Sequence, residues 1–240
     1  MNNRRTLMAA IVGGGLLLGA AAMGIIYFVA FAGSSPQKLA LSSPTPTTSS
    51  GIATPSSTLG PGTWSVTAGS QAGYRVHEQL ASLPAPSDAV GRTSAVTGTL
   101  TLAQTASGYS VTAASVTVDV SKLTSDRPMR DQRIHSQGLQ SARYPTATFQ
   151  LATPIALPAD AASGQTVHVS ATGALTIHGV TKTVTIPIDA RLNGSKIELV
   201  GSITFPFSQF AMTPPSIGGF VTVQDNATME FQVVFAQQGA

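Results

Sequence analysis

Apolar and polar side chains alternate along much of the chain after residue 62, and the clearest run is Val180 to Leu192. Its even positions are Val180, Lys182, Val184, Ile186, Ile188, Ala190 and Leu192, and its odd positions are Thr, Pro, Asp or Arg. Side chains on a strand point alternately to opposite faces, so this period predicts a strand with one apolar and one wet face. Lys182 alone breaks the apolar face, near the strand's start. Gly173 to Ile177 alternates as well, and His178-Gly179 supplies the corner of a hairpin.

The same period recurs elsewhere. Tyr74, Val76 and Leu80 share one parity, interrupted by Glu78. Val96, Leu100 and Leu102 share another and lead through a turn at Gln104–Gly108 to Val116, Val118 and Val120. Further strands are expected through Phe149, through Ile197, Leu199, Ile203 and Phe205, and through Met229, Phe231, Val233 and Phe235. Pro206 to Phe220, rich in Pro and Phe (Phe207, Phe210, Phe220), reads as a structured loop. Ser125 to Arg143 departs from alternation: Ser125 or Asp126 suits a helix cap, Pro128 a first turn, and Gly138 a stop. About eight strands with one short helical insertion predict an all-β fold, an antiparallel sheet closed into a barrel. At that size the interior is either filled by side chains or left with room for one small ligand.

Upstream the pattern changes twice. Residues 1–6 carry Arg4 and Arg5, and 7–32 contain no charge. That run is long enough to cross a bilayer, and the flanking arginines place residues 1–6 in the cytoplasm and the rest outside. Ala30-Phe31-Ala32 has the form of a signal-peptidase site, so cleavage after Ala32 is the competing outcome. Residues 33–62 are dominated by Ser, Thr, Pro, Gly and Ala, and are expected to be a disordered tether. The barrel domain is expected over 63–237.

Composition narrows the function. Charged residues make up 10% of the chain and apolar ones 42%, net charge is +3, and there is no cysteine. A basic face for nucleic acid is not foreseen, since only Arg127 to Arg143 clusters cations. His77, His135, His168 and His178 show no metal-ligand spacing, and no carboxylate pair, nucleophile elbow or phosphate loop stands out. No metal, no cofactor and no catalytic role are expected, and a cavity in the barrel would suit something apolar. Asn193-Gly-Ser195 and Asn226-Ala-Thr228 match the glycosylation sequon, which is weak by itself.

Four stretches carry a family likeness: Trp64; Met129-Arg130-Asp131; Ala142-Arg143-Tyr144-Pro145-Thr146-Ala147-Thr148-Phe149; and Gly173-Ala-Leu-Thr-Ile-His-Gly-Val-Thr-Lys182. With Phe207-Ser-Gln-Phe210 and Val223-Gln-Asp-Asn226 they resemble the YceI-like polyisoprenoid-binding proteins. The resemblance implies a lipocalin-like barrel, extended by a helix, with an isoprenoid chain in an apolar tunnel. The inward positions Tyr74, Val76, Val96, Leu100, Val116, Val118, Phe149, Val184, Ile186, Ile188, Ile203, Phe205, Phe207, Phe210, Phe231 and Val233 would then line it. The Asp and His-Ser pair that often follow the family's tryptophan are missing after Trp64.

Arg130-Asp131 has two readings. One is an ion pair tying the helical insertion to the barrel. In the other, Arg127, Arg130 and Arg133 share a helix face at the cavity mouth and hold the headgroup of a lipid pyrophosphate or quinone. The expected partners are thus a polyisoprenoid-type lipid and, through residues 7–32, a membrane. The alternative is a filled barrel acting as a ligand-free structural or partner-binding module of the cell envelope.

Overall fold

The computed structural model describes residues 35–43, 59–80, 87–106, 108–215 and 221–238. The expected span at 7–32 and Phe220 lie outside them, and among the described residues no helix is long and apolar enough to cross a membrane. Gln37 to Ala240 forms one compact unit.

The strands are β1 (Gly62–Val66), β2 (Gln71–Leu80), β3 (Ser87–Thr93), β4 (Val96–Thr105), β5 (Gly108–Asp119), β6 (Thr146–Leu151), β7 (Ile155–Ala156), β8 (Val167–Ile177), β9 (Val180–Asn193), β10 (Lys196–Phe205) and β11 (Val221–Gln237). All pairings are antiparallel. β11 lies against β10 on one side, and on the other against β2 and then β1. β1 continues the barrel through β4, and β2 through β3. β1 with β2, and β3 with β4, therefore act as two long bent staves, and the circuit onward through β5, β6, β8, β9 and β10 closes at β11. This is an all-β antiparallel barrel of eight staves. Closure removes the exposed edges that an open sheet would present.

The alternation of β9 appears as expected: Val184, Ile186 and Leu192 are buried, and Thr181, Lys182, Thr183, Thr185 and Pro187 are exposed. β3 was not foreseen, because Ser87–Thr93 is short and polar at both ends. At the β1–β2 corner, Ser70 Oγ donates to the Thr67 carbonyl at 2.8 Å and accepts from the Val234 amide at 3.0 Å. This hydroxyl fastens the corner to β11.

The helical insertion is α1 (Pro128–Arg133), with Pro128 as its first residue, followed by a π-helical turn over Ile134–Gly138. His135 holds it down. Its Nε2 lies 2.9 Å from the Leu123 carbonyl, which only accepts, so Nε2 carries the proton and Nδ1 accepts from Ser141 Oγ at 2.8 Å. Ile134 and Gly138 are buried beneath the turn.

The expectation of a disordered tether is corrected at residues 37–43, which pack on the outer wall. Arg92 Nη2 on β3 donates to the Gln37 carbonyl. Five residues on, Ser42 donates to Glu198 on β10 through its amide (3.1 Å) and its hydroxyl, and Arg191 on β9 donates to the Ser42 carbonyl. Leu39 and Leu41 between them are half-buried. Five extended residues reach about 17 Å, enough for the roughly 14 Å of three strand spacings from β3 to β10. The strap covers charges otherwise costly to bury: Glu198 pairs with Arg191 (2.9 Å), and Glu230 with Arg92 (2.7 Å) and Arg75 (3.5 Å).

Burial of Glu198 opposes its charge, but hydrogen bonds from Ser42, Arg191 and Gln232 hold its carboxyl below the ordinary glutamate range. A depressed acid stabilises the fold fully above its unfolded value, and that contribution fades as pH falls through the depressed one. Glu198→Gln is expected to release residues 37–43, read as faster amide exchange at Ser42. It should also cost about 3 kcal/mol by leaving Arg191 buried without its partner. The deficit against wild type should shrink at acid pH; a pH-independent deficit would assign it to packing.

Candidate ligand cavity

Two apolar clusters fill the barrel from its two ends. The first holds Val76, Leu175, Ile186, Phe205, Phe207 and Phe210. The second holds Trp64, Leu100, Leu102, Leu192, Val233 and Phe235. They do not fill it completely. A chamber of about 150 Å³ lies within the strands, lined almost entirely by apolar residues. A second chamber of about 80 Å³ lies beneath the helical insertion, lined there by Val120, Leu123, Ile134 and Leu139. Ala72, Val118, Ala147 and Met229 belong to the walls of both.

The foreseen inward residues divide between the chambers. Val96, Leu100, Val116, Val118, Phe149, Ile186, Ile188, Phe231 and Val233 line the larger one. Tyr74, Val76, Val118, Phe205 and Phe207 line the smaller. Three do not line either, which corrects the expected tunnel wall. Val184 and Phe210 are packed into the first cluster and Ile203 lies against it. Phe210 meets the Phe205 ring edge-on, with centroids 4.8 Å apart. Parity had placed these three on the correct face, but depth along the barrel decides which inward residues meet a void.

Other wall residues were missed. Leu59, within the expected tether, is 4% exposed and lines the larger chamber, and the Trp64 indole N–H donates to Gly60 O at 3.1 Å beside it. Ala72, Ala147 and Ala171 leave space through being small, a signal that hydrophobic alternation does not carry. Gly201 has a related role: a Cβ there would collide with the Phe231 ring, so glycine lets that aromatic lie flat on the inner wall.

The polar residues are arranged otherwise than the first reading of Arg130-Asp131 supposed. Arg130 reaches back to β2 and pairs with Glu78, the residue that interrupts the inner face, and also with Asp126. Asp131 instead accepts from the Ser125 amide at 2.8 Å and hydroxyl at 2.6 Å, closing the turn that enters α1. The insertion is tied to the barrel by an ion pair, but its acid is Glu78. Arg127 lies 3.7 Å from Asp126. Arg133 has no ion pair among the described residues, and the three arginines do not converge on one anion site.

Tyr74 lines the smaller chamber. The Tyr74 hydroxyl is fully buried and has no hydrogen-bond partner among the described residues. Burial raises its pKa well above the ordinary tyrosine value, Arg130 opposes this, and Asp131, Glu78 and Asp126 add to it. The phenol therefore stays protonated as a donor. Of the histidines, His77 and His168 lie on Asp88 and Asp189, at 2.8 and 2.6 Å. His178 forms the β8–β9 corner against Tyr144, and among the described residues no three acidic or histidine side chains group as metal ligands.

The family model for the YceI-like domain matches residues 65–235. The chain belongs to the YceI-like family. Among solved structures, a polyisoprenoid binding domain from Saccharophagus degradans, implicated in plant cell wall breakdown, is similar at 13% identity and a TM-score of 0.51. The match covers 74% of this chain and 99% of that one. Burkholderia cenocepacia BcnA aligns at 20% identity and 0.48, over 68% and 95% of the two chains. The Campylobacter jejuni YCEI protein aligns at 16% and 0.43, over 58% and 80%. The likeness to the first is one of fold. No curated protein matches the chain.

Ile186 is 2% exposed and borders the larger chamber. Ile186→Asp is expected to destabilise by more than about 4 kcal/mol, since a carboxylate there has no partner. Urea unfolding checks this; wild-type stability would place position 186 in contact with water.

Proposed function

We propose that this YceI-like protein is a membrane-tethered, extracytoplasmic binding protein for an isoprenoid or similar apolar lipid, serving carriage, storage or sensing without chemistry. The observation that carries the reading is the pair of apolar chambers inside a closed barrel. The walls of the larger chamber are apolar almost throughout, so they suit an apolar chain and offer a charged group no partner. An apolar chain entering it would recover contacts and remove its own surface from water at about 25 cal/mol per Å². Family membership and the polyisoprenoid-binding neighbour support the ligand class. The uncharged run over 7–32 behind Arg4 and Arg5 supports the tether and the orientation.

The test uses the Gln37–Ala240 unit, which contains every strand pairing and both core clusters. The unit is exported, purified without detergent and weighed by native mass spectrometry, with organic extraction of bound material. A discrete added mass that extracts as a prenyl lipid is expected. Ala147→Phe places a ring in the wall common to both chambers and should lower loading at least tenfold while the protein stays folded. A mass that remains bare after incubation with prenyl lipids would overturn the reading and favour a ligand-free module.

A further inference from the structure

The outer wall between β3 and β10 has the makings of a peptide site, and residues 37–43 show what fits it. Its charges are held in place by neighbouring strands. Arg92 and Arg75 lie on Glu230, and Arg191 and Gln232 on Glu198. Gly73 on β2 shapes the surface between them. A Cβ there would meet Arg92 Cγ at 2.8 Å, so glycine makes room for that arginine's stem.

What the wall grips is mostly backbone. Arg92 donates to the Gln37 carbonyl and Arg191 to the Ser42 carbonyl, while Glu198 accepts from the Ser42 amide at 3.1 Å and from its hydroxyl. Each of these bonds has a charged partner, the stronger kind. Leu39 and Leu41 are half-buried, and Lys38, Ala40 and Ser42 are exposed. That alternation is the pattern of an extended peptide lying on a surface. Residues 37–43 take part in no strand pairing and in neither core cluster among the described residues. Segments with so few buried contacts are the first to open.

None of these contacts requires the strap to belong to the barrel it covers. Every copy of the chain carries the same segment, joined to Leu59 through residues 44–58. Fully extended, that link would reach about 50 Å, against a radius of gyration of about 16 Å for a domain of this size. The strap of one copy can therefore reach the wall of another. We infer that the wall from β3 to β10 is a recognition site for an extended Leu-x-Leu-Ser segment, and that its partner in trans is the strap of a second copy. Two barrels would then join by exchanging residues 37–43. Exchange of an identical element keeps the contacts of the closed monomer, which makes it a low-cost route to a dimer. The site lies outside the barrel and is independent of what the interior binds.

Complementary variants of the Gln37–Ala240 unit test this. Ser42→Pro removes the amide and hydroxyl that Glu198 accepts from and leaves the wall intact. Glu198→Gln disables the wall and leaves the strap intact. Only a mixture of the two joins a competent strap to a competent wall. By native mass spectrometry each variant alone should be monomeric, and the mixture should give a heterodimer. A mixture that stays monomeric, or a dimer of either variant alone, would overturn the exchange. If Glu198→Gln fails to fold, Arg92→Gln replaces it, since Glu230 keeps Arg75 as its partner. A fluorescent peptide of residues 35–43 reads the wall directly. It should bind Ser42→Pro at least tenfold more tightly than wild type, whose own strap competes at high effective concentration. Equal affinity for both, or binding to neither, would show that the wall is no peptide site.

Discussion

β11 has neighbours along both edges, and the rest of the molecule depends on its doing so. On one side it pairs with β10 from Phe205–Ala227 to Lys196–Ala236 without a break in register. On the other it changes partner from β2 to β1, with a register shift between Val223 and Ala227. A sheet closes only where strand tilt and stagger agree, and splitting one stave into β1 and β2 lets the first strand meet the last without a single long straight run. The corner between the two halves is pinned to the same strand, through Ser70 and the Val234 amide.

Once the barrel is closed, its two faces obey opposite economies. The outer wall from β9 to β3 buries charge: Glu198 and Glu230 are each 3% exposed, satisfied by arginines on neighbouring strands and covered by the strap. The inner wall buries almost no polarity and is incompletely packed. Charges removed from water must be paired to be tolerated, and among the described residues the carboxylates Glu198 and Glu230 are paired on the outer wall and Glu78 by Arg130 of the insertion. That leaves the interior free to be soft, apolar and unspecific along most of its length.

Much of this was legible because period two reports on faces. The alternation in β9, β10 and β4 identified inward residues correctly even where strand ends were uncertain, and the helical insertion announced itself by breaking the period and by Pro128. Three things were not legible, each for a physical reason. The strap at 37–43 is held mainly by backbone carbonyls and one serine meeting side chains far along the chain, so it was hidden within a Ser/Thr/Pro-rich segment that looked unstructured. The Glu78–Arg130 pair joins residues 52 positions apart, and an adjacent Arg-Asp dipeptide offered a nearer and incorrect partner. The chambers depend on small residues and on depth: Ala147 and Val184 share an inward parity, but only the former borders a void.

The division of the interior follows from the same geometry. Val118 and Met229 project between the chambers, and the two alanines beside them keep the wall thin. Methionine is unbranched and adaptable, able to fill an irregular gap or move aside for another apolar group at small cost. The two chambers thus share one wall, and a substitution at Ala72, Val118, Ala147 or Met229 alters both at once.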